Sequence, residues 1–474
     1  MTDSQSTPNV VLIVLDSVRK DFFDEHAPRI QSRANVSFDQ CRAASSWSVP
    51  SHPSFMTGLL PHQHGIHTHN RVFTGISRDD TFLGDLPSHS AYGASANVYA
   101  SSTFGFDAIF DDYSDIAPHR RFPDGMDMEK FIQEREETGL VRYVEFLRQS
   151  AAHDHPLQSL ANGGLFKLND LLRRAPVPKL LDDGASVVAR SARSKAANGD
   201  EPFFLFTNFM DAHGPVHHVR GYDRSMHSAP NDWTSFNFDD QDINDGNWEV
   251  YEQDIEYHRE LYATAIDYLD RKVLEFIDDV REQTDEETIF LITADHGENL
   301  VYPADNRWIG HTSSLTEALL HVPLYIVNAP DGMQETYTDL FSHLDLGDLI
   351  ISMVEGDPNP TFRDRVPAEV VGMGVGGPDP DDEEYEFWDR MIRCVYRDDT
   401  KVEWDSLGNK TEYRIDRSKP SWQEEVGSLD AVPEWATKLF DVPLAEYKRQ
   451  AEASEQSVDV DDATKGRLED LGYI

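Results

Sequence analysis

The chain has 474 residues, 39% of them hydrophobic, and sets 86 acidic against 42 basic side chains for a net charge of −44. That length can bury a large core in one main domain with a smaller appendage, and the apolar content excludes a disordered polyanion. So acidic a surface repels phosphate backbones and anionic lipids, which argues against nucleic-acid binding and membrane attachment and fits the solubilising surface of a protein from a high-salt cytoplasm.

The chain opens without a basic leader and passes directly into an apolar run at 10–15, so a cytoplasmic location is expected. No apolar stretch approaches the length of a membrane span. Cys41 and Cys394 are the two cysteines, too few and too isolated for a disulfide framework. Short apolar or β-branched runs at 10–15, 92–96, 203–209, 288–293 and 322–327 read as strands of a buried sheet. Long helical patterns separate them, so the expected fold class is α/β, with a mainly parallel central sheet sandwiched by helices. Between two of the strands, 113–198 reads as a charged helical insertion; around 128–149, Leu140, Val141, Val144 and Leu147 share one helix face. A helix is expected over about 254–280, where Tyr262, Ile266, Leu269, Val273 and Phe276 recur at spacings of four and three. Glycines from 372 and the acidic run 381–384 mark a flexible link. Beyond it, 391–397, 401–404 and 411–415 read as short antiparallel strands, with a turn at Gly408-Asn409. The expected division is a catalytic α/β domain over 1–370 and a small-sheet subdomain over 385–474.

Two strand ends and one short motif carry chemistry. Asp16 follows the first apolar run, Asp295 and His296 follow the run at 288–293, and Ser48 opens Ser48-Val-Pro-Ser-His-Pro-Ser-Phe-Met-Thr-Gly58. Ligands of open α/β sheets bind beyond the carboxyl ends of the strands, so these residues can converge there. Two carboxylates, an imidazole and a hydroxyl suit a divalent cation, calcium or magnesium ahead of manganese or zinc. Pro50 and Ser51 suit the opening of a helix, which puts Ser48 just before an N-terminus that favours a bound sulfate or phosphate. Taken singly, Ser48 is equally a helix cap, Asp16 a surface residue ending a strand and His296 a turn residue. His62, His64, His67 and His69 have metal-like spacing, but no cysteine or carboxylate joins them, and they read as a solvated loop.

In order along the chain, these motifs resemble the sulfatase branch of the alkaline-phosphatase superfamily. The carrying segments are Asn9-Val-Val-Leu-Ile-Val-Leu-Asp16, the Ser48–Gly58 stretch, Phe204-Leu-Phe-Thr-Asn-Phe-Met-Asp-Ala-His213, Thr293-Ala-Asp-His-Gly-Glu298 and Gly310-His311. Ala96-Asn97 with Phe104-Gly-Phe-Asp107, and the terminal Leu468-Glu-Asp-Leu-Gly-Tyr473, add to them. The form is a haloarchaeal-type sulfatase-like protein with serine where the family places its nucleophile.

The resemblance implies that Ser48 attacks sulfur or phosphorus, either as its own hydroxyl or after oxidation to formylglycine. It implies Asp16, Asp295 and His296 as metal ligands, His213 and His311 as histidines that could protonate the leaving oxygen, and Asn97 and His52 beside the substrate. Asp211 could join a second cation site. Three positions depart from the family pattern: Ser17 replaces the second aspartate of an Asp-Asp pair, His52 an arginine, and Thr312 a lysine. The expected activity is hydrolysis of a sulfate ester, with a carbohydrate ester among the candidates. The alternative is a phosphodiesterase, phosphonate hydrolase or phosphoryl transferase using unmodified Ser48, and a non-catalytic glycan-binding protein is the third reading.

Overall fold

The computed structural model describes residues 7–118, 120–122, 125–133, 139–172, 176–284, 287–311, 313–374, 377–378, 380–454, 460 and 462–471. Thr312, the end of the terminal motif and parts of the glycine-rich link lie outside them.

Because Asn9–Leu15 is apolar on both faces after its first residue, it forms a strand only where both faces are covered, and it sits at the middle of an eight-stranded sheet. Phe203–Phe209 flanks it on one side and Thr288–Thr293 on the other, both parallel to it. Ser90–Ser95 and then Asp112–Asp115 extend the sheet beyond Phe203–Phe209, again in parallel. On the other side Leu324–Val327 runs antiparallel, followed by Val36–Phe38 and Thr336–Tyr337. The sheet is therefore mixed but mainly parallel, as expected.

Register fixes what lies beyond it. Leu15 pairs with Phe209, Val14 with Thr293, and Ser95 with Asn208. Four strands thus end level with one another, and Asp16, Asn97, Asp211 and Asp295 all emerge at one edge.

Glu252–Gln283 forms one long helix that buries the expected stripe of Tyr262, Ile266, Leu269, Val273 and Phe276. The insertion begins later than its sequence suggests, since Asp112–Asp115 is a strand, and it then forms the helices Met128–Gln133, Gly139–Ala152, Pro156–Leu172 and Ala185–Asn198.

The C-terminal region holds a five-stranded antiparallel meander in sequence order: Val366–Val371, Met391–Arg397, Thr400–Asp405, Lys410–Ile415 and Gln423–Ser428. Its first strand lies before the division expected after residue 370. Pro367 is accommodated because that strand is an edge of the sheet. Val370, Ile392, Cys394 and Tyr396 join the main core, while Val371, Met391, Val395 and Trp404 form a second cluster with the helices that follow. Both cysteines are buried and free. No described helix is long and apolar enough to cross a membrane.

Candidate active site

Asp16 is aimed by the residue after it. Ser17 adopts a left-handed conformation (φ 61°), unusual for a residue with a side chain. Its N–H donates to Asp295 Oδ1 at 3.3 Å, its hydroxyl donates to Asp16 Oδ1 at 3.0 Å, and its carbonyl accepts from the Tyr262 hydroxyl at 2.6 Å. The turn ties the ends of two strands together, and the serine that replaces an expected aspartate is part of the tie.

Ser48 is the first residue of the helix Ser48–Thr57, with Trp47 at the cap position, one residue earlier in the chain than the expected helix start. Its hydroxyl lies 2.8 Å from Asp295 Oδ2, 3.3 Å from Asp16 Oδ2 and 3.4 Å from His296 Nε2. The Asn97 amide donates to Asp16 Oδ2 at 2.6 Å and to Ser48 Oγ at 2.9 Å. Ser48 is thus held between an amide donor and two carboxylate acceptors, with all of these side chains buried.

The donor atoms of Asp16, Asp295 and His296 all lie within 4.8 Å of one another. Nδ1 of His296 pairs with the Gly297 carbonyl at 2.8 Å, which assigns its proton there and turns the Nε2 lone pair toward the carboxylates. Burial lowers the His296 pKa to about 4, so the ring is neutral and fit to ligate. Burial and the Asp16 charge push Asp295 up, while Asp16, despite its own burial, is held down by His213, His296 and His52 and by the Asn97 hydrogen bond. Two buried carboxylates pressed together in this way, with an imidazole nitrogen beside them, form a donor set that a divalent cation fits.

The other expected residues fall into two groups. His213 and His311 face each other with ring centroids 5.0 Å apart, and His311 stands 4.6 Å from the His296 ring. Glu298 Oε2 accepts from His311 Nδ1 at 3.0 Å. Burial alone lowers His311, but Glu298 outweighs it and raises the pKa, whereas burial lowers His213. His213 also borders a cavity of about 440 Å³ whose walls include Leu172, Lys179, His217, Trp233 and Phe236.

His52 and Asp211 are engaged in holding structure. His52 Nδ1 lies 2.8 Å from the Ser48 carbonyl and its Nε2 accepts from Asn208 at 3.1 Å, with the ring packed among Phe55, Phe106 and Phe206. Asp211 accepts from the Asp183 and Ala185 N–H groups at 3.1 and 3.0 Å, at the start of the helix Ala185–Asn198.

Two participants carried weak signals in the sequence. Asn208 donates to Asp16 Oδ2 at 3.3 Å and to His52, while its Oδ1 is buried without a hydrogen-bond partner. An amide inside an otherwise apolar strand was the available clue. Glu298 stands three residues after Asp295, and only its approach to His311 gives it a role. The histidine loop is a correction. His62, His67 and His69 are buried, because His62 bonds Glu369 at 2.8 Å and Asp441 at 3.0 Å, and His69 meets Asp389 at 3.3 Å.

Residues 8–355 match the family model described as Sulfatase. A choline-sulfatase of Rhizobium meliloti (strain 1021) is 22% identical over 354 residues, a match spanning 67% of this chain and 62% of that relative's length. Among solved structures, a phosphonate monoester hydrolase of Agrobacterium radiobacter superposes with a TM-score of 0.57 at 15% identity, covering 86% of this chain and 89% of that one. BT4656 in complex with its substrate D-glucosamine-2-N,6-O-disulfate gives a TM-score of 0.57 at 13% identity over 96% and 99% of the two chains. At these identities the superpositions establish the fold.

Proposed function

The chain belongs to the sulfatase family, and on that premise we propose that it is a metal-dependent hydrolase of a sulfate ester, with a carbohydrate ester among the candidates and Ser48 as its nucleophile. The observation that carries this reading is the Ser48 hydroxyl set 2.8 Å from Asp295 and 3.3 Å from Asp16, at the start of a ten-residue helix. Asp16, Asp295 and His296 would hold the cation, which when bound lowers the pKa of the attacking hydroxyl and offsets charge on the transferring group. Asn97 fixes the hydroxyl, so that it enters the reaction already oriented. The helix N-terminus at Ser48 adds a positive dipole end where the anionic group would sit. His311, held by Glu298, and His213 beside it are placed to protonate the leaving oxygen, and the cavity bordered by His213 would receive the alcohol.

A second reading, phosphorus-ester chemistry by unmodified Ser48, is favoured by one feature. His52 stands where the family pattern has an arginine, and its ring is engaged with the Ser48 carbonyl and Asn208. Two measurements separate the readings. The first is the intact mass of the peptide containing Ser48, in which formylglycine reads as a loss of about two mass units. The second is turnover of aryl sulfate, phosphate monoester, phosphate diester and phosphonate with several cations. Ser48-dependent hydrolysis of the sulfate alone supports the first reading, and hydrolysis confined to phosphorus substrates replaces it with the second.

A further inference from the structure

The terminal helix Asp462–Asp470 leaves the cluster formed by the region that precedes it. Leu444 and Ala451, from the helix before it, belong to the second cluster beside the meander, whereas Leu468 belongs to the main core. Thr464, Arg467, Leu468 and Leu471 recur at spacings of three and four, so they share one face. Two of the four serve packing: Leu468 is buried, and Thr464 Oγ1 lies 3.1 Å from Thr103 Oγ1. The other two, Arg467 and Leu471, are half-buried, and both line the cavity of about 440 Å³ that His213 borders.

Arg467 fixes where that wall stands. Its Nη2 donates to the carbonyls of Ala96 and Ile116, at 3.0 Å each. These are the first residues beyond the parallel strands Ser90–Ser95 and Asp112–Asp115, where the ladder ends and carbonyls need donors. Ala96 also precedes Asn97, whose amide donates to Ser48 Oγ. The helix is thus tied to the strand end that orients the proposed nucleophile. The other walls define what Leu471 would meet. Lys179 and His217 are both engaged with Asp183, at 2.5 and 2.9 Å, and Asp182 with Arg121 at 2.6 Å, so these charges are matched within the protein. Leu172, Leu181, Met210, Trp233 and Phe236 help to make the interior mainly apolar. An apolar body of ring size suits such a space, whereas a group with many hydroxyls would lose water there and gain few partners.

We propose that the terminal helix is a specificity element of the active site: Leu471 closes the apolar wall that accepts the alcohol half of the ester, and Arg467 anchors that wall to the strand ends. The proposal rests on the reading that the cavity at His213 receives the alcohol.

The test is titration of the full chain with 2-naphthol, an apolar alcohol that needs neither cation nor turnover to bind, followed by its own fluorescence. The parent should bind it, Leu471→Ala and Arg467→Ala should each bind about fivefold more weakly or worse, and Leu471→Met should restore the parent's affinity. Circular dichroism should be the same in all four proteins. In whichever ester assay shows turnover, Leu471→Ala should raise KM for a naphthyl ester and leave kcat near the parent value. A parent that does not bind 2-naphthol overturns the proposal, as do variants that bind it as tightly as the parent. A working hydrolase whose KM ignores Leu471 also overturns it, while leaving the hydrolase reading in place. Binding that responds to Leu471 and Arg467 in a protein that cleaves no ester keeps the wall and removes the hydrolase reading instead.

Discussion

Two regions of the molecule gather histidines and carboxylates in its interior, and they balance charge in opposite ways. Around the histidine loop, each buried carboxylate has a cationic side chain: Glu369 meets Arg393 at 2.8 Å as well as His62, and Asp389 meets Lys448 as well as His69. At the strand ends, Asp16 and Asp295 share Ser48, and among the described residues no lysine or arginine forms an ion pair with either. The same residue types hold a sheet in place in one region and leave a negative pocket in the other. Buried carboxylates matched within the chain are structural, whereas the two left facing each other are those assigned to the proposed cation site.

The comparison breaks most readily at Ser48. Ser48→Ala removes the proposed nucleophile and one hydroxyl from a packed site, so turnover of the best substrate should fall at least about a thousandfold. Thermal unfolding should show the fold retained. A variant that keeps a tenth of its activity would remove Ser48 from the chemistry. The next largest effect concerns the unmatched pair. Asp295→Asn relieves repulsion with Asp16, so the variant should unfold later than the parent in the presence of a chelator. Saturating divalent cation should stabilise the parent by about 2.7 kcal/mol at a hundredfold excess over Kd and leave the variant unmoved. Equal cation-induced shifts in the two proteins would place the ion elsewhere.

In the matched region the expected outcome is the reverse. His62→Ala withdraws a hydrogen-bond partner from buried Glu369 and should cost about 2 kcal/mol of stability. With the protein still folded, kcat and KM should stay near the parent values, because the interactions of His62 are with Glu369, Asp441 and the C-terminal region. A large loss of kcat at unchanged stability would make the loop part of the site.

How far each region could be read from sequence follows from the range of its interactions. The strands at 10–15, 203–209 and 288–293 are apolar runs buried on both faces, so their ends and the residues just beyond them were visible. Asp16, Asp295 and His296 meet because parallel register sets those ends level, and the helix Ser48–Thr57 brings Ser48 to them. Asn208 was hidden because it lies within a strand, and Gln423–Ser428 because an edge strand reading Gln-Glu-Glu-Val-Gly-Ser carries no apolar alternation. The histidine loop is illegible in the sequence for a different reason. Its partners Glu369, Asp389, Asp441 and Lys448 lie some three hundred residues or more away, and no local spacing reveals them. Asp211 shows the converse: its position after a strand suggests a ligand, yet the backbone N–H groups of Asp183 and Ala185, at the start of a helix that precedes it in the chain, occupy both carboxylate oxygens.

The smallest effect isolates one charge of the matched region. Burial alone would raise the Glu369 pKa, but hydrogen bonding by His62 and the Arg393 charge together bring it below its ordinary 4.5. A carboxylate depressed in the folded state adds stability that is complete above its unfolded value and is lost as pH falls through the folded one. Glu369→Gln keeps the shape and the acceptor oxygen but removes the charge. The parent should therefore be more stable than the variant at neutral pH, and the gap should stay constant down to about the ordinary glutamate range. Below pH 4.5 it should close, because the protonated parent carries the same neutral group as the variant. Other carboxylates titrate alike in both proteins, so the difference between two denaturation series reports Glu369 alone. A gap that persists unchanged into acid would mean that the amide distorts the packing of His62 and Arg393, and that charge matching contributes nothing there.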